Sequence, residues 1–562
     1  EQYSGMGVVD IPKLCAQQPR LATVREIAQQ NHFMHWELEF ADLFAERGGF
    51  DLIIGNPPWI KIEWNEQGVL SDSHPMFAVK NLSANQTTQH RERALENPTT
   101  KAMYFEEYES MSGMQTFLNA VGNYLSLKGQ QTNLFKCFLP QAWVFNSKAG
   151  VSAFVHPEGV YDDPRGGALR EKLYARLRKH FMFANERKLF SEVDHHTQFS
   201  LNVYGGPLMP SFDSISNLYE VGTIDQCYDD SIPGAVPGIK DDNGDWTKAG
   251  HPGRIVHVGK RELQVFARLF DGNEEWKQAR LPVIQAEALI EVLNCFAEQG
   301  KTLGSMRDEV CTTEMWHETN AQNDGTIKRD IHFPETAIEA VYSGPHIGVS
   351  NPLFKCSRSE CRLNSDYDII DLSVIPDEYI QRCNYSPSCD MSDYLRRIPS
   401  TPWGTPSHQT IRPIARKMLN ISGERTLICS LVPAKSTHTN GLIGFTFQNP
   451  KTATLAVGLF SSIPYDFFIK VLGKSNLYED NAGKLPINTT FDAEPINVRA
   501  LLLNCLTKEY CCFWQEQYLA SFAEHTWSKP DPRLRPERFT SLTPEWTWDT
   551  PLRTDYERRQ AL

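Results

Sequence analysis

The sequence has no apolar run near the roughly 18 residues that a membrane-spanning helix needs, and it shows no basic-then-apolar pattern of a secretory signal. A membrane-embedded or exported protein is therefore not expected; a cytoplasmic one is. Positive charge is in short supply, with 56 Lys and Arg against 69 Asp and Glu and a formal net charge of −13. That excludes a surface coated in basic residues. It leaves room for a local basic groove, which is all that phosphate contacts require. Cysteine is thinly spread, 13 in 562 residues, without the tight spacing of a small disulfide scaffold, which suits a reducing compartment. There is no phosphate loop either, because the glycine that Gly473-Lys474-Ser475 would need five positions upstream is replaced by Phe468. No Pro-Asp…Glu-x-Lys cluster is found, so DNA cleavage is not predicted. What is present is an ordinary globular composition, 41% hydrophobic and 22% charged, in a chain too long for one core.

One stretch stands out, Phe50-Asp51-Leu52-Ile53-Ile54-Gly55-Asn56-Pro57-Pro58-Trp59. The run Leu52–Ile54, bounded by Asp51 and Gly55, reads as a buried parallel strand. Gly55 lets the chain leave the strand tightly, and two prolines then fix φ, remove two backbone donors and restrict the residues before them. The outcome is a stiff loop at the carboxyl end of a strand, where open α/β sheets bind ligands. The side-chain carbonyl of Asn56 and the backbone carbonyl of Pro57 are two acceptors. Together they can hold both hydrogens of an amine on a flat ring and leave its lone pair free. Trp59 offers a face on which a base can stack. The plainer alternative is a proline-stiffened turn after a strand.

These four residues in their strand-then-loop context resemble the Asn-Pro-Pro-aromatic motif of S-adenosylmethionine-dependent amino methyltransferases, chiefly adenine-N6 DNA methyltransferases. The resemblance implies that adenine is flipped out of the duplex, gripped by Asn56 and Pro57 and stacked on Trp59, with Pro58 stiffening the loop. It extends upstream to His35-Trp36-Glu37-Leu38-Glu39-Phe40 and to Asp42, placed where the family's acid accepts from the amine of the cofactor's adenine. The alternative for Asp42 is an acid at a helix start. Phe190 is placed where the family has an aromatic on the other side of the base; equally, it can be a core phenylalanine. The family's aromatic-x-Gly-x-Gly cofactor loop is not found. Gly5-Met6-Gly7 has no apolar strand before it and reads as a turn. Either the N-terminal part of the methyltransferase core is missing from this sequence, or the chain does not bind cofactor alone. The start at Glu1 and the end at Glu557-Arg558-Arg559-Gln560-Ala561-Leu562 suggest a fragment of a longer polypeptide.

Along the chain, Ala22–Ala28 has a helical pattern. The polar stretch 60–115 reads as a long insertion over the site, a lid. A helix starting near Asn133 lines the cofactor pocket by the same resemblance. Val151–Pro157 reads as a strand, 168–178 as a helix, and Phe181–Phe183 and Phe199–Tyr204 as the last strands. This alternation predicts a mostly parallel, doubly wound α/β sheet over residues 1–205. Residues 206–304 read as a linker, rich in Gly, Pro and Asp, followed by a helical connector with helices near 263–270 and 286–299. Asp241-Asp242-Asn243-Gly244-Asp245 lacks the spacing of a calcium loop and reads as a turn.

From 305 to 495 the texture is β-rich, with strands expected at Arg425–Pro433 and Ile443–Phe447. The landmarks Gly344-Pro345-His346, Asn351-Pro352-Leu353, Glu424-Arg425-Thr426-Leu427-Ile428 and Lys484-Leu485-Pro486-Ile487 resemble the α+β target-recognition domain of Type IIG restriction–methylation enzymes and of BREX- and DISARM-type methyltransferases. Arg412, Arg416, Lys417, Arg425 and Lys435 are then candidates for base and phosphate contacts, with His438-Thr439-Asn440 adding polar ones; the alternative is a solvated face with structural ion pairs. Residues 496–562 read as a helical tail. Cys356, Cys361, Cys383 and Cys389 are either a four-thiolate zinc site or free thiols. Asp194-His195-His196 reads as a polar turn, since neighbours on a strand point to opposite faces. No resident metal is expected.

The reading that combines these features is a site-specific adenine-N6 DNA methyltransferase using S-adenosylmethionine. Its partners would be double-stranded DNA and other subunits of a bacterial restriction–modification or phage-defence system, with no membrane. Two rivals stand beside it: a non-catalytic DNA-recognition subunit, favoured by the missing glycine-rich loop, and a protein-glutamine methyltransferase, since the same clamp can grip a side-chain amide.

Overall fold

The computed structural model describes all residues except 1–2, 5–7, 81, 83, 131–132, 364, 421–422 and 488–491. Gly5-Met6-Gly7 thus lies outside the described residues. The chain forms two compact units, Glu1–Leu263 and Gln264–Leu562.

In the first unit a short helix, α1 (Ala41–Arg47), leads into strand β1 (Phe50–Gly55). The expected insertion follows as four helices, ending in α2 (Pro98–Asn119). Their small core holds Leu70, Phe77, Ala94 and Tyr104, with Trp64 packed on it. Asn97 caps α2 by accepting from the backbone N–H groups of Thr99 and Thr100, and Pro98 occupies the first turn, where its missing donor costs nothing. Gln115 of α2 donates to the carbonyl of Ile62 at 2.7 Å, which ties the insertion to the segment just past Trp59. Helix α3 (Leu134–Phe145) begins where expected and runs straight into β2 (Asn146–Pro157). Strands β3 (Leu177–Ala184), β4 (Gln198–Tyr204), β5 (Phe212–Leu218) and β6 (Val256–Val258) complete a six-stranded sheet in the order β1-β2-β4-β3-β5-β6.

This sheet is mixed. The pairs β1/β2 and β3/β5 are parallel, and β2/β4, β4/β3 and β5/β6 are antiparallel. The expected mostly parallel sheet is corrected by the loop 185–197, which turns the chain straight back so that β4 inserts antiparallel between β2 and β3. The expected helix over 168–178 is observed as Gly167–Tyr174, because Leu177 onward pairs into the sheet and tertiary pairing overrides the helical pattern. The stretch expected as a linker supplies β5 and β6, so the sheet continues well past residue 205.

The second unit is built on a four-stranded antiparallel sheet of Cys429–Val432, Arg412–Arg416, Leu442–Phe447 and Val310–Thr313, in that order. Short two-stranded ladders surround it, and the helices Pro450–Ser461 and Glu494–Asn504 pack beside it. The strand expected over Arg425–Pro433 narrows to Cys429–Val432. Its first part is diverted because Asp466 Oδ1 accepts the N–H groups of Thr426 and Leu427, each at 2.7 Å. The expected helical tail is instead part of this unit. Arg553 donates to the carbonyls of Leu372, Leu506 and Trp548, and Trp548 Nε1 donates to Ile375 O. Among the described residues no single helix is long and apolar enough to cross a membrane.

Candidate active site

The site starts with how β1 is entered. Gly48 ends α1 in the left-handed region at φ +74°, returning its N–H to Phe44 O, a common helix stop. Gly49 follows at φ +140°. A Cβ there would overlap Phe145 O and come within 2.8 Å of the Asn146 carbonyl carbon. Two glycines thus let β1 start flush against the α3–β2 junction. At its other end Gly55 pairs with Phe154 of β2, and the Phe154 ring lies 3.3 Å from where a Cβ would be. The chain leaves β1 as Asn56-Pro57-Pro58-Trp59.

A cavity of about 700 Å³ opens at this point. Its walls are Leu52–Gly55 of β1, the clamp residues Asn56, Pro57 and Pro58, and Leu134, Cys137, Phe138, Gln141, Ala142 and Phe145 of α3, closed by Met34, Trp36 and Leu118. Volume and apolar lining are those of a small-molecule site. Asn56 is exposed and Pro57 buried. Among the described residues no hydrogen bond engages the Asn56 side chain, so its amide is free to meet a ligand. Among the described residues no carboxylate, lysine or arginine lines the cavity. Burial pushes the Cys137 thiol up to about 11, which leaves it an uncharged wall. The arrangement can therefore orient and desolvate a neutral group, and it contains no general base.

Trp59 is half-buried, and its Nε1 donates to Val155 O at 3.2 Å. Its ring meets Phe190 edge-on at 5.3 Å and 66°, and Phe199 at 5.7 Å and 37°. All three belong to one apolar cluster with Phe181, Phe183 and Ile215. Trp59 and Phe190 are in contact with each other, and neither is among the residues that line the cavity. A base stacked between two rings needs them parallel and about 7 Å apart, twice the stacking distance, at the wide end of aromatic spacings. Here Phe190 packs as a core phenylalanine. Asp42 lies exposed in the first turn of α1 and does not line the cavity, which is the helix-start alternative. The residues missed from sequence are Val155 and Phe199, which fix the indole, and Asn185, which fixes the Phe190 loop. Val155 acts through its backbone, so no side-chain signal marks it.

The basic cluster of the second unit is mostly internal. Arg412 is fully buried and donates to Ser436 O at 2.7 Å. Burial pulls its pKa down to about 10. Arg416 donates to Ile347 O at 2.5 Å through Nη2 and at 3.2 Å through Nε. Arg425 donates to Ser461 O and pairs with Asp466 at 3.4 Å, and Lys417 pairs with Glu314 at 2.5 Å. His438 and Thr439 are buried too. This corrects the expected DNA-reading cluster: Arg412 is buried, Arg416, Lys417 and Arg425 are partly buried against internal carbonyls or carboxylates, and of the five only Lys435 is exposed. The four cysteines are also dispersed. Cys356, Cys383 and Cys389 point their thiols at the carbonyls of Ser357, Gln381 and Thr326. Among the described residues they form no ligand group.

Residues 10–94 match the Eco57I restriction-modification methylase family. The matched segment holds Asp42, β1 and the whole clamp, so the similarity covers part of the cavity wall. No curated protein gives a significant match. Among solved structures, the chain is similar to the Type IIL restriction–modification enzyme MmeI in complex with DNA, at 9% identity over 84% of this chain and 50% of that one, with a TM-score of 0.32. It is similar to the type IIG restriction endonuclease BpuSI at 11% identity over 84% and 52%, with a TM-score of 0.27. A type I restriction–modification methyltransferase subunit from Streptococcus thermophilus matches at 15% identity over 31% and 27%, with a TM-score of 0.17. The chain spans about half or less of the length of these proteins. At such TM-scores the likeness carries no weight for function, which is read from the site itself.

Proposed function

We propose that this chain carries the target-amine clamp of a DNA methyltransferase that modifies adenine N6, within a bacterial restriction–modification or phage-defence system. The observation that carries this reading is an unpartnered Asn56 amide beside a rigid Pro57-Pro58 step, at the mouth of a 700 Å³ uncharged cavity, inside the Eco57I-type segment. Asn56 Oδ1 and the Pro57 carbonyl each accept one N–H of the amine. Polarised in this way, the nitrogen keeps its lone pair for attack, so the absence of a base in the lining suits the reaction. Trp59, held by Val155 O, is not part of the cavity lining; it would give the flipped base a stacking face beside the cavity. Phe190 reaches the base's other face only after leaving its present contact with Trp59. Most of the rate then comes from positioning and the exclusion of water.

The methyl donor this reaction calls for is S-adenosylmethionine, which supplies an electrophilic methyl group on a sulfonium. The apolar walls fit its flat adenosine part, which Met34, Trp36 and Phe50 would hold. Its charged amino-acid end finds no ionic partner among the lining residues. Double-stranded DNA would be the partner, with Lys435 the one exposed residue of the expected basic set, and other defence-system subunits are further candidates.

The test is methyl transfer from labelled S-adenosylmethionine to DNA, with N6-methyladenine read by mass spectrometry. Asn56→Ala is expected to lower the rate by about 10²–10³-fold, the range for losing one preorganised polar contact, with duplex affinity retained. Methylation unchanged in that variant would overturn the assignment. A second reading, a non-catalytic DNA-recognition subunit, is favoured by Asp42 standing outside the cavity. It predicts duplex binding with no saturable S-adenosylmethionine binding by calorimetry.

A further inference from the structure

The loop between β3 and β4 carries a constellation that the methyl-transfer site does not use. Glu186, His195 and His196 bring a carboxylate oxygen and two imidazole nitrogens within 4.8 Å of one another. On a strand, residues 195 and 196 would point to opposite faces. Here both sit in a turn before β4 starts at Gln198, and their ring centroids are 3.8 Å apart. His196 Nδ1 lies 3.4 Å from Glu186 Oε1. The turn is fixed by Asp194, whose Oδ1 accepts the His196 N–H at 2.8 Å. The frame beneath is rigid as well: buried Asn185 donates to Phe190 O and Val193 O and accepts from Phe190 N–H.

We propose that Glu186, His195 and His196 bind one divalent transition-metal ion, with water completing the shell. Two imidazoles and one carboxylate are a nitrogen-and-oxygen set that suits zinc, whereas calcium and magnesium take oxygen ligands. Both histidines are exposed, so small side-chain rotations close the ligand atoms onto an ion without moving the backbone. The ion would join the two ends of the loop whose middle holds Phe190. It is thus a brace for one wall of the base site and not a participant in methyl transfer, and its binding is measured without any catalytic readout.

The experiment uses the full chain without a histidine tag, stripped by chelator and titrated with zinc by calorimetry. One saturable site is expected, with affinity falling at least tenfold in His195→Ala and in Glu186→Gln. Cobalt(II) in the same site is expected to show no thiolate charge-transfer band, and Cys512→Ser to bind as the unsubstituted chain does. The proposal fails if no saturable site is found, or if both variants bind unchanged. It also fails if the cobalt spectrum shows thiolate ligation, which would put the ion on thiols such as the Cys511 and Cys512 pair, whose sulfurs lie 3.8 Å apart. Because the substituted side chains are at the surface, unchanged melting of the zinc-free variants is expected and separates lost binding from lost folding.

Discussion

Gly48 and Gly49 adjoin in sequence and both have positive φ, yet a methyl group meets different things at each. A Cβ on Gly48 has nothing within 4 Å, so Gly48→Ala bears only the left-handed backbone penalty of about 1 kcal/mol. At Gly49, φ of +140° is combined with overlap onto the backbone of Phe145 and Asn146, which cannot give way without parting β1 from β2. Gly49→Ala is expected to cost about 3 kcal/mol, read as a fall in urea midpoint at unchanged slope, with Gly48→Ala clearly milder. Equal effects would mean that the junction is looser than the structure has it. The stiff loop after β1 was legible because its residues act locally: two prolines and a glycine set it whatever surrounds it. The partners of Trp59 were not legible, since Phe199 reaches the indole only through the sheet.

The loop 185–197 shows how far one side chain can organise an element. Asn185 is fully buried and spans the loop with its amide, donating to Phe190 O and Val193 O at 2.9 Å and accepting from Phe190 N–H at 3.0 Å. Asn185→Ala leaves those backbone groups without a partner, and an unsatisfied buried group costs about 1–3 kcal/mol. The expected outcome is faster proteolytic cleavage within 186–197 and a lower melting temperature of the first unit. Cleavage at the unsubstituted rate would count against the loop being held this way. Apolar runs and alternation located β2, β3 and β4 within a few residues, but not that β4 turns back antiparallel, because pairing direction is set by this loop and not by the strands' own patterns. The basic cluster misled for a related reason. Arg412 lies in Arg412–Arg416, a strand buried at four of its five positions, and a strand without polar alternation buries its cation as readily as its isoleucine.

Both units spend buried polar groups on holding distant chain segments, which sets how the whole protein responds to acid. In the second unit Arg558 is buried and donates to the carbonyls of Leu503, Leu552 and Ser350. Arg558→Met is therefore expected to cost on the order of 3 kcal/mol, a penalty no loose tail would show, measured as a lower denaturation midpoint. Histidine gives the pH dependence. Burial lowers His156 in the first unit to about 4, and in the second unit lowers His346 to about 4 and His438 to about 3. His156 is built to be neutral: Nδ1 faces Pro157 O at 3.0 Å as a donor, while Nε2 accepts from Tyr204 Oη at 2.8 Å and from Asn202 Nδ2 at 3.0 Å. An unfolded chain takes up these protons below about pH 6.5, whereas the folded one does not until about pH 4. Between those values the unfolded state binds more protons, so stability falls as pH falls, by up to about 1.4 kcal/mol per pH unit for each histidine. Melting temperature is expected to be level above pH 7 and to drop steadily from pH 6.5 to 4.5. His156→Gln should flatten that drop in the first unit alone; an unaltered slope in this variant would show that His156 titrates in the fold as it does in water.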